Sequence, residues 1–551
     1  MRYKILRARY GPLRTLFIVS LIGLSCAQPL LTAAPQRFDL VIYGATAGGS
    51  MAAVAAAQAG LHVALLEPGA HVGGMVSGGL SHSDVESQER LVGSLTRQFF
   101  SRVGHHYGKP VAWSFEPHIA EATFREMLDE AHVRVFFHAR LGEVLEDGSH
   151  IQVLRTEESG DFTAPFFLDS GYEGDLMKAA GVSYVVGREG ASRYGESLAG
   201  RQDLLPGRHQ FSFAVSAAAP GGKGLLPGLV PQEQVASTGQ GDGHFQSYCF
   251  RLCLTNQEAN RLPITRPVDY RPERYELARR YLQSANGALG LRDFLGISPI
   301  PNGKADINST GPVSTDLPGA SWEYPEASYG RRKQIWDEHL SWAHGLLYFL
   351  GNDPSVPEVI RQAALAWGLP KDEFADTGHW PHQLYIREGR RMLGEYVLTQ
   401  HDLQESREKY DSIGMAGYNI DIREVQWLAH RVYYFPQVVD QVFTEGYLSM
   451  PVEPWQIPYR ALLPRQSQCS NLLVTATISA STIAYASFRM EANYMIAGES
   501  AGVAAALAFW SGRSLHQVDL QELQKELLHR GQILSLTQIP SQSLPSKGEP
   551  R

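Results

Sequence analysis

The 551-residue chain has no surplus of positive charge: 49 lysines and arginines stand against 57 aspartates and glutamates, a net charge of -8. Phosphate backbones are gripped by basic stripes, and none runs through this sequence, which points away from a nucleic-acid partner and toward a small molecule. Cysteine is also scarce, with Cys26, Cys249, Cys253 and Cys469 as the whole complement. Only Cys249 and Cys253 are close, within SYCFRLCLT, whose alternation reads as a strand. Two cysteines alone make a poor metal set, so no metal site is expected and buried free thiols are the plain reading; a disulfide is permitted by an oxidising compartment but not required. Internal repeats are missing. The apolar run at the N-terminus, LFIVSLIGL (16–24), is too short to cross a bilayer, which takes about 20 residues.

That run belongs to a leader. Arg2, Lys4, Arg7, Arg9 and Arg14 precede it and Ser25, Cys26 and Ala27 follow, the pattern of an export signal over residues 1–27. Cleavage after Ala27 is one reading and lipid attachment at Cys26 another, although Gly23 sits where such sites usually carry an aliphatic residue. The mature chain is expected in the periplasm or outside the cell, without a stable membrane span. No Arg-Arg pair precedes the run, so the export route for folded cargo has no visible signal. The composition, 44% hydrophobic and 19% charged, is that of a globular protein, and the length implies at least two packed regions. Residues 536–551, polar and rich in Pro and Ser, read as a frayed tail.

The mature chain opens with FDLVIYGATAGGSMAAVAAAQAGLHVALLEPGAHVGG (38–74). FDLVIYG is a buried parallel strand ending in glycine, and SMAAVAAAQAG an alanine-rich helix closed by Gly60. Between them Gly44-Ala45-Thr46-Ala47-Gly48-Gly49 delivers a helix N-terminus directly after a strand, where oriented amides favour a pyrophosphate. Gly44 permits the tight turn and Gly49 the close approach of helix to strand. Thr46 stands where the dinucleotide fingerprint has its second glycine; it takes up room, and its hydroxyl is offered as a donor to a phosphate oxygen. The second strand, LHVALLE, ends at Glu67, 18 residues after Gly49, in place to accept hydrogen bonds from a ribose diol. Pro68, Gly73, Gly74 and Met75 follow, and a second glycine pair at 78 and 79 again lets backbone pass close to a bulky ligand.

Three longer segments carry a resemblance. LDSGYEGDLMKAAGVSYVVGREGASRYGESLAG (168–200), YIREGRRMLGEYVLTQHDL (385–403) and IPYRALLPRQSQCSNLLVTATISASTIAYASFRMEANYMIAGESAGVAAALA (457–508) resemble the marker segments of the FAD-dependent oxidoreductases, in a secreted subgroup common in environmental bacteria. The likeness covers nearly the whole mature chain. It implies FAD as cofactor, with its pyrophosphate at Gly44, Thr46, Gly48 and Gly49, its ribose at Glu67, and Asp175 of YEGD returning the chain toward the flavin. It further implies that Gly498, Glu499, Ser500, Ala501 and Gly502 form a turn opening a last helix beside the ribityl chain and ring. The expected fold is α/β: a Rossmann-like FAD-binding domain built from residues 38–200 and 457–530, with an inserted α+β substrate or cap region at 201–456. Thr482 and Arg423 depart from the pattern, standing where histidines are expected.

Flavin oxidation of a C–H bond needs the donor carbon held, a group to take the hydroxyl or amine proton, and positive charge near the reduced ring. Tyr485 and His82 are the candidate bases, and Asp84 lies near His82 along the chain. Arg489 is the candidate cation, with pairing to Glu491 as the structural alternative. Arg387, Arg390 and Arg391 are either salt-bridged to Glu388 or Glu395 or form an anion clamp. His71 lies close along the chain to where some flavoproteins attach FAD covalently; packing near the phosphates is the plain reading. His118 reads as a helix start. The expected activity is oxidation of a small organic compound, with a sugar or other hydroxylated molecule as the favoured class. Oxygen, a quinone or a redox protein is the expected acceptor, because no second nucleotide fold follows: GQGDG (239–243) lacks both strand and helix. A flavin-dependent isomerase or lyase, since members of the family are also labelled polysaccharide lyases, and a scaffold without turnover stay open beside it.

Overall fold

The computed structural model describes residues 34–539 apart from 208, 406 and 435. The expected leader, with Cys26, and the chain beyond 539 lie outside them. The chain divides into two units, residues 1–34 and 35–551, and the architecture that follows is that of the second.

LVIY forms β1 (Leu40–Tyr43), every residue of it buried. Leu40 and Ile42 enter one hydrophobic cluster, Val41 and Tyr43 another. Burial on both faces is what a continuous apolar run requires of a parallel strand. The chain continues through α1 (Ala47–Gln58), β2 (Val63–Leu66), α2 (Ser94–His105), α3 (Pro117–Glu130), β3 (Arg134–Phe136) and β4 (Phe166–Asp169). The inserted region contributes β5 (Leu252–Thr255), β6 (Arg261–Pro263), β7 (Leu295–Ile300), β8 (Lys304–Ser309), α4 (Tyr329–Asn352) and β9 (Gly368–Pro370). Near the C-terminus come β10 (Leu472–Val474), α5 (Thr482–Phe488) and α6 (Glu491–Ser511).

The fold is α/β. A parallel sheet runs in the order β10-β4-β1-β2-β3, with Leu472–Val474 paired to Phe167–Asp169, so a strand from the far end of the chain completes the sheet begun at residue 40. α1 and α6 cover one face, and the strands His150–Thr156 and Asp161–Thr163 pack Ile151, Leu154 and Phe162 on the other. The inserted strands form a separate antiparallel sheet, β6-β9-β5-β8-β7. Cys253 lies in β5, and Cys249, Cys253 and Cys469 are buried free thiols. The largest hydrophobic cluster joins Leu40, Phe250, Leu254 and Val503. The inserted region therefore shares a core with the parallel sheet, where length alone had suggested two. No helix among the described residues is long and apolar enough to cross a membrane.

Two expectations from the sequence are corrected by the fold. Residues 536–538 are not frayed but form a 3₁₀ turn capped by Ser535, and Ile539 packs on Leu91 and Met415. The GESAG segment does not form a turn: residues 498–502 lie in the middle of the 21-residue helix α6. Their small size serves helix packing. A Cβ at Gly498 would stand 2.0 Å from the Gly48 carbonyl oxygen, and one at Gly502 2.3 Å from that of Ala52. Positions four apart on each helix meet in the same direction, so α1 and α6 run parallel in close contact.

Gly498→Ala is therefore expected to destabilise the protein by about 1–3 kcal/mol, because overpacking against backbone outweighs the roughly 1 kcal/mol that alanine gains over glycine in a helix. Gly330→Ala, where α4 leaves open space around the glycine, should instead stabilise by about 0.4–1 kcal/mol. Urea unfolding of both variants checks the pair; equal effects would remove the packing argument.

Candidate active site

The turn after β1 is built as a helix start. Thr46 caps α1: its Oγ1 accepts the Gly49 amide at 3.1 Å and donates to the Ser170 carbonyl at 2.9 Å. The hydroxyl is thus turned inward, which corrects its expected role as a phosphate donor; an unpaired first-turn amide is the stronger claim on it. The Gly48 amide is left without a partner among the described residues, while Ala47 lies in the parallel bridge that joins Thr46 to Gly73. A Cβ at Gly49 would lie 2.0 Å from the Gly44 carbonyl oxygen. At the end of β2, Glu67 accepts from the Ala45 amide at 2.9 Å and the Gly69 amide at 2.7 Å. Burial pushes its carboxyl up to about 7 against the pull of those two amides.

Gly73 closes over the same turn, donating to the Ala45 carbonyl at 2.7 Å. At Gly74 the missing side chain makes room for the Tyr172 hydroxyl, which accepts from the Met75 amide at 2.9 Å and donates to Glu491 at 2.8 Å. Glu491 is the first residue of α6, and its other oxygen is buried without a partner. Burial pushes this carboxyl up to about 8. The glycines at 78 and 79 admit Gln383 and the Arg251 carbonyl, so that pair serves contacts within the chain. An unpaired helix-start amide at Gly48, an acid at the end of the second strand and a loop folded over both suit a dinucleotide such as FAD.

A second constellation lies beyond Glu491. Arg489, which closes α5, donates to the Asp421 carboxylate at 2.8 Å and its carbonyl at 2.7 Å, and its Nη1 lies 3.4 Å from the Tyr385 hydroxyl. Its partner is thus Asp421 and not Glu491. The Tyr385 ring carries the Arg387 guanidinium at 4.7 Å and that of Arg251 at 5.6 Å. Arg251 pairs with Asp306, and Asp306 also accepts the Ser81 and His82 amides, each at 2.9 Å. His82 Nδ1 lies 2.7 Å from the Ser114 hydroxyl, while Nε2 is 3.6 Å from Asp84. Asp84 in turn lines a small cleft with Tyr418, Met490 and Asn493.

Other expected residues lie apart from these two groups. Asp175 is held by Arg332 at 2.6 Å and Arg390 at 2.8 Å. Arg391 is bound by Glu189, Glu388 and two carbonyls; both Arg390 and Arg391 are salt-bridged, Arg391 to the expected Glu388 but Arg390 to Asp175 and Glu326 instead. Glu499 accepts from Ser94 and Leu95, and Ser500 donates to the Ile413 carbonyl, both away from a ligand turn. Tyr485 is buried with its hydroxyl 3.1 Å from the Ala476 carbonyl and 2.9 Å from Tyr494, and burial raises it well above a tyrosine's usual range; it is not placed to act as a base. His71 engages Glu121 through Nδ1 and Asp376 through Nε2, each at 3.1 Å. Its ring stacks on His382 at 3.8 Å and 7°, and two parallel rings cannot aim their in-plane lone pairs at one ion. Among Glu116, His118 and Glu373, the place for an ion is taken by the Lys304 ammonium, 2.6 Å from each glutamate.

The sequence profile of the family described as FAD dependent oxidoreductase matches residues 39–527. The chain belongs to this family. It is a flavoenzyme that uses FAD. No curated protein matches it in sequence. Among solved structures, a geranylgeranyl bacteriochlorophyll reductase-like protein of Thermoplasma acidophilum is 12% identical with a TM-score of 0.33, covering 90% of this chain and 84% of that one. Glycine oxidase of Geobacillus kaustophilus is 16% identical with a TM-score of 0.22, covering 28% and 63%. Thioredoxin reductase of T. acidophilum is 18% identical with a TM-score of 0.17, covering 29% and 40%. These similarities are too remote to bear on function.

Tyr172, Tyr385, Asp421 and His209 were not singled out from the sequence, and Glu491 was named only as a salt-bridge partner of Arg489. Tyr385 and Glu491 stand in the quoted segments at 385–403 and 457–508, and Asp421 two residues before Arg423, but nothing local marks them as a group.

The two buried carboxylates can be tested separately. Glu67→Gln keeps one acceptor oxygen and turns an NH₂ toward a backbone N–H, so FAD affinity should fall about tenfold or more, measured by flavin fluorescence on rebinding. Unchanged affinity would remove Glu67 from the ribose site. Glu491 titrates near 4.5 when unfolded and near 8 when folded, so between those values the folded protein retains a proton that the unfolded chain has lost. The stability it confers is complete below pH 4.5 and is lost toward pH 8, by about 1.4 kcal/mol per pH unit at most. Glu491→Gln should flatten the pH dependence of urea unfolding across that window; an unaltered slope would show that the carboxyl is ionised.

Proposed function

We propose that this chain is an exported bacterial enzyme that oxidises a small hydroxylated compound and passes the electrons to oxygen, a quinone or a small redox protein. Bound FAD supplies a two-electron acceptor for hydride from a C–H bond. The observation that carries the reading is the Arg489–Asp421–Tyr385 group, set by Arg489 two residues along the chain from Glu491, which reaches the cofactor loop through Tyr172. Arg489 supplies the positive charge, and Asp421 and Tyr385 fix its orientation.

His82 is the group assigned to hold the substrate proton. Ser114 fixes its ring through Nδ1, and Nε2 makes no close contact with Asp84, so that nitrogen is available to a hydroxyl. About a third of the side chain is exposed, which leaves it within reach of a ligand. The acceptor assignment is supported by the single dinucleotide turn at residues 44–49, since GQGDG at 239–243 is a loop pinned by the Arg188–Asp242 pair. The leader supports export.

Stopped-flow mixing tests the acceptor. NADH and NADPH should leave the oxidised flavin unreduced on the timescale of turnover, while substrate-reduced enzyme should be reoxidised by oxygen or by a quinone analogue. Rapid reduction by either nicotinamide would overturn the acceptor assignment. Product formed anaerobically with no acceptor and no flavin bleaching would replace the redox reading with an isomerase or lyase.

A further inference from the structure

We infer that the site binds its substrate through a carboxylate, held by the free edge of Arg423. The inference rests on the redox reading only in calling the ligand a substrate. Arg423 lies two residues after Asp421, just past the strand Ile420–Ile422, at the position where the sequence pattern led to the expectation of histidine. The structure supplies that histidine from elsewhere: His209, 214 residues away, sits with Nε2 2.5 Å from Arg423 Nη1, and its Nδ1 faces the Glu424 carboxylate. A guanidinium only donates, so His209 accepts at Nε2. One edge of Arg423 is thereby fixed.

The other edge is not occupied. Arg423 Nε is 3.9 Å from Asp421, too far for a hydrogen bond, and Nη2 makes none among the described residues. Asp421 is already bound at 2.8 Å by Arg489, and Asp316 at 2.6 Å by Arg387. Nε and Nη2 are the two parallel donors that match a carboxylate in bidentate fashion. Only 12% of the Arg423 side chain is exposed, so this edge is shielded from bulk water, where a charge-assisted pair gains strength. Of the groups around it, Arg387 Nε and Ser247 Oγ are buried with no hydrogen-bond partner, and so are Asp316 Oδ2 and both Glu424 carboxylate oxygens. Arg390 and Arg391, two of the three arginines the sequence offered as an anion clamp, have every nitrogen engaged.

The ligand chemistry that fits both groups is a hydroxylated carboxylate: a hydroxy acid or sugar acid whose carboxylate meets Arg423 while its hydroxyl-bearing carbon lies toward Arg489 and His82. A neutral polyol has no group that uses the free fork.

The test is equilibrium binding to the oxidised holoenzyme, which needs no turnover. Acetate, glycolate and succinate are titrated at constant ionic strength by calorimetry and by the visible flavin spectrum, with glycerol and propionamide as neutral controls. At least one carboxylate should bind saturably and shift the flavin bands, and the neutral compounds should do neither. Arg423→Gln should weaken that binding at least tenfold with FAD content unchanged, and Arg423→Lys, which keeps the charge but loses the fork, should also weaken it. Carboxylates that bind no better than glycerol, or bind both variants as tightly as wild type, overturn the inference. So does binding by calorimetry that leaves the flavin spectrum unmoved. A failed redox reading shows itself separately, as absence of bound FAD or of flavin bleaching by any substrate.

Discussion

The contact on which the site depends is the parallel crossing of α1 and α6, where Gly48 meets Gly498 and Ala52 meets Gly502 with no space for a methyl group. It sets the two helix starts in one register. Gly48 is the second residue of α1, whereas Gly498 is seven residues into α6. At 1.5 Å per residue, α6 begins about 9 Å beyond the start of α1. That overhang carries Glu491, Met490 and Arg489 past the pyrophosphate turn. Both helices point their positive ends the same way, which suits an anionic cofactor followed by an anionic or polarised reactant.

Around this crossing the chain holds many buried charges, and how they are paired separates structure from function. Arg332 and Arg390 close on Asp175, and Arg391 on Glu189 and Glu388. Burying such pairs gives little net stability, because desolvation offsets much of the attraction, but breaking one is costly. They fasten the YEGD segment and the REGRR segment to each other. The group near Asp421 differs, since three arginines meet three carboxylates there, those of Asp316, Asp421 and Glu424, and several of their polar atoms, the Nε–Nη2 edge of Arg423 among them, stay unsatisfied. A charge left incomplete inside a protein marks a place where a ligand completes it.

Much was legible in the sequence because it is local. The run FDLVIYG, the glycine turn, the alanine-rich helix and Glu67 follow one another within 30 residues, and each is fixed by hydrophobic pattern, turn chemistry or strand length. The long motifs at 168–200, 385–403 and 457–508 identified the family. The misread features were those whose meaning depends on a partner far along the chain. GESAG has the look of a ligand-binding turn, yet its glycines answer to α1, some 450 residues earlier. Thr46 has a hydroxyl in the right place, but Ser170 and the Gly49 amide claim it.

The sequence by itself determined the α/β class, the cofactor and the turn that receives it, since strand, turn and helix are dictated by neighbours in the chain. Only the tertiary structure decided which arginines are bound and which is open, that Arg489 meets Asp421, and that His209 stands beside Arg423. Hydrogen bonds and charge pairs between distant residues leave no periodicity behind, because they are fixed by how the packed elements meet.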